Sequence, residues 1–144
     1  MDNLNQTISF ALAKITTEQF AIIENDLSLD SLNLESNFRF AADKEKKMVG
    51  VFAKFSFSSD QNPFMIIECG CHFRIQPDAW EKLLSKEENS ITFPKSIIQH
   101  LTVITVGTTR GVLHAKTENT KYNHLFLPTI NLQEMITDDH KFTF

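Results

Sequence analysis

The chain has 144 residues, of which 42% are hydrophobic and 22% charged, and its formal net charge is −4 at pH 7. This balance is typical of one globular domain spanning residues 1–144, and it argues against a disordered or fibrous chain. The negative charge argues against a nucleic-acid partner held by a basic surface. No apolar run reaches the ~18–20 residues of a membrane helix, and the first residues do not resemble a signal peptide. We therefore expect a cytoplasmic protein without membrane insertion.

Phenylalanine is unusually frequent, with 13 copies beside one Trp and one Tyr. So many large apolar side chains predict either an extensive core or an apolar surface that a partner covers. The strand periodicity places Phe55, Phe57 and Phe73 in the core. It assigns a second group to surfaces that the helices of one chain cannot cover, namely Phe38, Phe40, Phe52 and Phe64.

The first strand is predicted from the alternation of Ile8, Phe10 and Leu12 with small residues. The alternation is lost before Phe20, which indicates a bulge or a bend. Residues 25–33 carry leucines among turn-forming residues, so they predict a loop longer than a tight hairpin connection. An extended segment follows at residues 38–40.

Two further strands are predicted with greater regularity. In the first, alternate residues from Val49 to Phe57 are apolar, and in the second the same holds from Met65 to Ile75. A charged turn at residues 43–47 precedes the first of them, and turn-forming residues at 58–63 separate the two. Short polar spacers of this kind favour a meander of antiparallel strands. Both faces of the sheet are predicted to be partly apolar.

The last third of the chain changes to helical periodicity. A short helix is predicted from Pro77 to Leu84, and a long one opens at Pro94 and runs to about Leu113 or Lys116. A final short helix follows Asn131, for which a capping box with Glu134 is expected. The predicted fold is therefore α+β, with a four-stranded antiparallel sheet followed by C-terminal helices. These helices can cover one face of the sheet, so we expect oligomerisation or a binding surface on the other.

Gly107 and Gly111 lie one turn apart in the predicted long helix, and Ala115 continues the same stripe. Glycine inside a helix costs ~1 kcal/mol relative to alanine, so a compensating contact is expected. One interpretation is a smooth surface that a second helix or strand approaches closely. The alternative is that the helix ends or kinks near Gly107.

Catalytic and metal-binding motifs are not found in the sequence. Cys69 and Cys71 share one face of a strand, where buried cysteines act as small hydrophobes, and His72 points to the opposite face. Without a second cysteine pair, a zinc site is disfavoured. The five histidines have no metalloprotease spacing, and no nucleophile elbow or phosphate-binding loop is present. We therefore expect no enzyme activity, no metal and no cofactor.

Two segments carry a family resemblance: Ile91-Thr92-Phe93-Pro94, which opens the long helix, and residues 125–132, with the sequence Leu-Phe-Leu-Pro-Thr-Ile-Asn-Leu. The second resembles the segment that precedes the last helix in SecB, the bacterial protein-export chaperone, although Thr129 and Leu132 differ in detail. The order of elements also resembles that family. The resemblance spans about residues 8–136 and identifies the chain as a divergent SecB-like protein.

The resemblance implies a homotetramer built as a dimer of dimers, which binds unfolded polypeptides in long hydrophobic grooves. The matching groove positions, which would bind clients, are Leu27, Leu29, Leu32, Leu34, Phe38, Phe40, Leu132, Met135 and Ile136. The long helix would pack against other subunits, through Gly107, Gly111, Ile104 and Ala115.

The departures from the family concern its downstream partner. The positions that match acidic contacts to the export motor SecA carry Gln19, Ile23 and Ile66, and the acidic tail of the family is missing. These differences argue against SecA docking. SecB-like proteins also serve as dedicated chaperones in toxin–antitoxin modules, which is one alternative. A small-ligand pocket near Cys69 and Cys71, or a purely structural oligomer, are two others.

Overall fold

The computed structural model describes residues 8–23 and 31–144 of the chain. Leu27 and Leu29, both predicted to bind clients, lie outside the described residues. The elements in chain order are β1 (Phe10–Ile22), β2 (Leu32–Asp43), β3 (Met48–Ser59), β4 (Asn62–Ile75), α1 (Pro77–Leu83), β5 (Leu84–Ser85), β6 (Ser90–Phe93), α2 (Lys95–Lys116), α3 (Leu132–Met135) and β7 (His140–Thr143). The fold is α+β, as predicted, with a four-stranded antiparallel sheet and three helices in the described part of the chain.

The main sheet has the strand order β1-β4-β3-β2, with every neighbouring pair antiparallel. Strands β2 to β4 form the expected meander, but β1 crosses over to pair with β4, as in a Greek key. Strand β1 contains two register shifts against β4, at Leu12/Lys14 and at Thr17/Gln19. The predicted irregularity of this strand is therefore confirmed as two β-bulges.

Tight turns set the register of the meander. The β3–β4 connection is Asp60-Gln61, and both residues have positive φ, of 50° and 67°. This is the geometry of a type I′ hairpin turn, whose twist matches that of the flanking strands. The charged turn predicted at residues 43–47 joins β2 to β3, and Lys47 also has positive φ.

Helix α2 packs across β3 and β4 on one side of the sheet, which we call the helix side. Its sheet-facing residues include three threonines, Thr102, Thr105 and Thr109, all fully buried. Each hydroxyl donates to the carbonyl four residues earlier, at 2.6–2.9 Å, so all three hydroxyls are satisfied despite their burial.

The other side of the sheet, which we call the open side, differs from the prediction because it is mostly polar. A large buried aromatic on this side is Phe52, which is only 7% exposed. The ring lies over Gly70, and the Arg39 guanidinium stacks on the ring 3.8 Å from its centroid. Phe64 is fully buried against Tyr122 at 5.8 Å between ring centroids. The assignment of Phe52 and Phe64 to uncovered surfaces was therefore wrong.

Two strands of the small second sheet were not predicted. Strand β6 pairs with β5 on one side and with the C-terminal strand β7 on the other. Beneath this sheet lies a core that includes Trp80, Ile91 and Phe93. Trp80, on α1, is 1% exposed. The second sheet thus closes the end of the core that α2 leaves open.

Candidate polypeptide-binding surface

The predicted client-binding residues of β2 share one side of the strand. Leu34, Phe38 and Phe40 pair directly with Phe57, Ala53 and Val51 of β3, so all of them project to the helix side. Strand β2 is the edge of the sheet and α2 packs on β3 and β4, so these side chains are only half-buried. Leu32, at the start of the strand, is 36% exposed.

Aromatic contacts fix the middle of this row. Phe38 makes an edge-to-face contact with Phe55, with the ring centroids 6.0 Å apart. Phe40 contacts the His140 ring of β7 at 5.1 Å between centroids. The row is therefore anchored to the core on one side and still presents apolar surface on the other. We call Leu32, Leu34, Phe38 and Phe40 the β2 row.

The predicted residues near α3 divide into two kinds. Met135 is 48% exposed, and Ile136 is half-buried against both core clusters. The Ile136 carbonyl accepts a hydrogen bond from Gln99 Nε2 of α2 at 2.7 Å, which fixes its position. Leu132 is only 5% exposed and belongs to the core. Its assignment to an open groove is therefore wrong, because its side chain is used to dock α3.

The segment before α3 adds an exposed aromatic that sequence reasoning did not select. Phe126 is 65% exposed, although the adjacent Leu127 is buried. Arg110 of α2 holds this segment, since its Nε and Nη2 atoms donate to the carbonyls of Leu127 and Pro128 at 3.1 and 3.0 Å. Phe126 stands between the apolar residues Leu125 and Leu127, so no pattern in the sequence distinguishes it as exposed.

Three of the four predicted interface residues lie on the outer surface of α2. The helix continues from Lys95 to Lys116, so it does not end near Gly107. Gly107, Gly111 and Ala115 are exposed, and a Cβ atom added at either glycine would meet nothing within 4 Å. Ile104 is half-buried, whereas Val103 beside it is 54% exposed.

Strand β1 is the other edge of the sheet and carries further apolar surface. Leu12 and Ile15 are 45% and 48% exposed, although their pairing with Phe73 and Cys71 directs them to the helix side. Close to them, Phe10 contacts the His100 ring of α2 at 5.6 Å between centroids. Two surfaces thus carry exposed small or apolar residues. We call them the α2 stripe, formed by Gly107, Gly111 and Ala115, and the β1 edge, formed by Leu12 and Ile15.

The two cysteines are free thiols, both fully buried on the helix side of β4. Burial raises the pKa of the Cys69 thiol, an effect that hydrogen bonds with Thr109 and Thr17 partly oppose. A thiol with a raised pKa is a poor nucleophile and a poor metal ligand. Among residues 8–23 and 31–144, no group of three or more His, Cys, Asp or Glu side chains is arranged to hold a metal ion.

Two acidic residues near Arg39 on the open side, Glu18 and Glu68, are paired within the chain. Glu68, only 6% exposed, accepts from Gln19 Nε2 at 3.1 Å and from Arg39 Nε at 3.3 Å. Glu18 lies 3.8 Å from the same guanidinium. Ile66, on the same side of β4 as Glu68, is half-buried. These carboxylates form an internal network around Arg39 rather than an unpaired acidic patch.

Comparisons with known proteins do not assign a family. No family model and no curated protein matches the chain. A solved structure described as a protein of unknown function from Streptococcus agalactiae is similar at 15% identity, covering 85% of this chain and 99% of that one, with a TM-score of 0.34. Similarity at this level supports no inference about function. Within the described residues, no helix has the length and hydropathy needed to span a bilayer.

Proposed function

We propose that this protein is a SecB-like holdase chaperone, which binds unfolded or non-native polypeptides on exposed apolar surface and performs no chemistry of its own. The observation that carries the proposal is the β2 row, together with Met135 and Ile136 of the α3 region. These side chains combine partial exposure with fixed positions, which is the property that a peptide-binding surface needs. The proposed compartment is the cytoplasm.

The binding mechanism is burial of apolar area, which contributes ~25 cal/mol per Å2 removed from water. An extended client that lies beside β2 would cover alternate side chains of the row, whose spacing matches that of an extended strand. Strand β2 is also a sheet edge within residues 8–23 and 31–144, so its outer backbone groups could form main-chain hydrogen bonds with a client. Binding the unfolded form then competes with its aggregation, without ATP.

We further propose that the protein assembles as a homotetramer, a dimer of dimers. The α2 stripe and the β1 edge support this, because each presents apolar or small residues without cover from the described part of the chain. An isologous contact through either surface would place the same residues opposite each other, as in most homodimers. Several client surfaces on one oligomer would raise the apparent affinity for a long client by avidity.

The test of function is suppression of aggregation of a chemically unfolded model client, measured by light scattering without nucleotide. The variant Phe38→Ser removes the central side chain of the β2 row, and Asn37→Ser is its control on the opposite side of the same strand. Met135→Ser repeats the test at an exposed position, with Gln133→Ser as its control on α3. Circular dichroism establishes that each variant is folded.

We expect Phe38→Ser and Met135→Ser to weaken client binding, by roughly tenfold for Phe38, because a buried Phe contributes ~1.5–3 kcal/mol. Both controls should bind as the unmodified protein does. If the unmodified protein fails to bind an unfolded client by calorimetry, the proposal is wrong. If the four variants bind equally well, a different surface is responsible.

For downstream partners, we propose general or dedicated client service without SecA docking. The pairing of Glu18 and Glu68 with Arg39 supports this view, since both carboxylates are engaged within the chain. Service to a toxin–antitoxin pair is the alternative within the same class. Co-purification of the tagged protein followed by identification of the bound chains would distinguish a single dedicated client from a broad set.

A further inference from the structure

The C-terminal strand β7 lies in a groove that is lined by aromatic side chains. It pairs with β6 in antiparallel register, so that Phe142 is opposite Ile91 and His140 is opposite Phe93. Beyond the strand, the Phe144 N–H donates to the Asn89 carbonyl at 2.9 Å. Residues 137–144, which we call the arm, therefore extend the small sheet by one edge strand.

Alternate residues of the arm point into the groove. Three half-buried side chains, His140, Phe142 and Phe144, face the core, whereas the Lys141 and Thr143 side chains between them are exposed. The rings of Phe142 and Phe144 contact Phe93 and Trp80, at 5.9 and 6.2 Å between centroids. The arm thus presents an aromatic ring to the groove at every second residue of an extended backbone.

The arm is held less firmly than the strands of the main sheet. None of its residues is fully buried. Its polar anchors are exposed: Lys141 pairs with Glu88 at 2.7 Å, and Asp139 accepts from the Lys95 N–H at 2.9 Å. Exposed ion pairs of this kind contribute little to stability. Short edge strands with few buried groups belong to the part of a protein that opens most easily.

Release of the arm would uncover the groove floor, which comprises Trp80, Ile91 and Phe93, all 0–1% exposed in the closed form. The His140 ring also covers part of Phe40, the last residue of the β2 row. Opening would therefore join the β6 groove to the β2 row as one longer apolar surface. A bound chain that alternates aromatic and polar residues could replace every contact that the arm makes.

We propose that β6 and its aromatic floor form a second peptide-docking groove, specific for extended segments with an aromatic ring at every second residue, and that the arm occupies this groove in cis as an autoinhibitory strand. The inference rests on the proposed function in one respect, since the external occupant would be a segment of an unfolded client. The arm itself defines the chemistry of that occupant.

The test uses the full chain and a fluorescent peptide with the arm sequence Thr-Asp-Asp-His-Lys-Phe-Thr-Phe, read by anisotropy. A control peptide exchanges the last Phe-Thr pair, so that composition is kept and alternation is lost. The double variant Thr92→Cys, Lys141→Cys locks the arm, because these exposed residues are directly opposite at a spacing that a disulfide can bridge. The native cysteines are buried and remain apart from this bond.

We expect the oxidised double variant to bind the arm peptide at least tenfold more weakly than its reduced form. Phe142→Ser weakens the arm in cis and should raise affinity for the peptide about tenfold, because a larger fraction of the groove is open. Thr143→Ala, an exposed change, should leave it unaltered. Equal binding by the oxidised and reduced forms, or by the two peptides, would overturn the inference, as would no gain from Phe142→Ser.

Failure of the inference is separable from failure of the proposed function. Aggregation suppression is measured on the unmodified protein alongside the peptide titrations. If suppression is absent while the arm peptide binds in the expected pattern, the chaperone proposal fails and the groove stands. If suppression is present while locking the arm leaves peptide binding unchanged, the groove assignment fails and the chaperone proposal stands.

Discussion

Replacement of both Gly107 and Gly111 by alanine probes the outer surface of α2. Each glycine is exposed in the middle of a 22-residue helix, has no positive φ, and leaves a Cβ atom without any neighbour within 4 Å. Steric cost is therefore absent in the isolated chain. Each substitution should then stabilise the helix by the difference in propensity, about 0.8–1 kcal/mol, or roughly 2 kcal/mol together.

This gain should raise the melting temperature by about 6 °C for a chain of 144 residues. The same change should weaken self-association if the stripe packs closely against another subunit, because four methyl groups would enter a two-fold interface. The assays are thermal unfolding at concentrations where the protein is monomeric, and sedimentation equilibrium across a wide concentration range. The surface residue Ser96, on the first turn of α2, supplies the control variant Ser96→Ala.

Two results would refute this reasoning at different points. A lower melting temperature in the monomer would mean that the glycines are required for the helix itself, contrary to their open surroundings. A higher melting temperature with unaltered self-association would show that the stripe is not a subunit interface. The expected combination, a more stable chain that associates less, is difficult to produce by any other role of these glycines.

Three further predictions concern other parts of the molecule. Gly70→Ala should destabilise the fold by about 1–3 kcal/mol, because the new Cβ atom would lie 2.7 Å from the Phe52 ring. Denaturant unfolding measures this change, and near-normal stability would mean that the ring moves freely. Asp139→Ala should lower the free energy of unfolding by about 0.5–2 kcal/mol, because the Lys95 N–H at the start of α2 loses its acceptor. Asp138→Ala should change it little, and equal effects of the two variants would contradict the capping role of Asp139. Burial lowers the pKa of His140, so release of the arm is coupled to binding of a proton and should increase as the pH falls through ~6.5. His140→Gln should remove this pH dependence of arm-peptide binding. A pH dependence that persists in this variant would assign the effect to another group.

The sequence predicted the elements with strong local signals. Helix α2 was predicted from the helical spacing of its apolar residues and from Pro94. It ends at Lys116, within the predicted range. The bulged character of β1 was likewise visible in its broken alternation. The four-residue strand β7 was missed because it is too short to show a period, and its pairing with β6 joins segments about 50 residues apart.

Burial on the open side and around α3 could not be predicted, because it depends on residues that are distant in the chain. Phe52 is covered by Arg39 from the neighbouring strand and lies over Gly70 from the other neighbour. Leu132 lies on the short helix where it was predicted, yet its side chain packs into the core instead of facing a groove. Alternation identifies which side of an element a residue faces, but only the tertiary fold determines what covers that side.

The most direct test of the central claim is hydrogen exchange of the full chain, followed by mass spectrometry, with and without a permanently unfolded client. The account predicts slower exchange on binding in residues 32–40 and in residues 126–136, with the client itself remaining unfolded. Protection confined to the outer surface of α2, or no change anywhere at saturating client, would contradict the claim that the β2 row and the α3 region bind unfolded polypeptides.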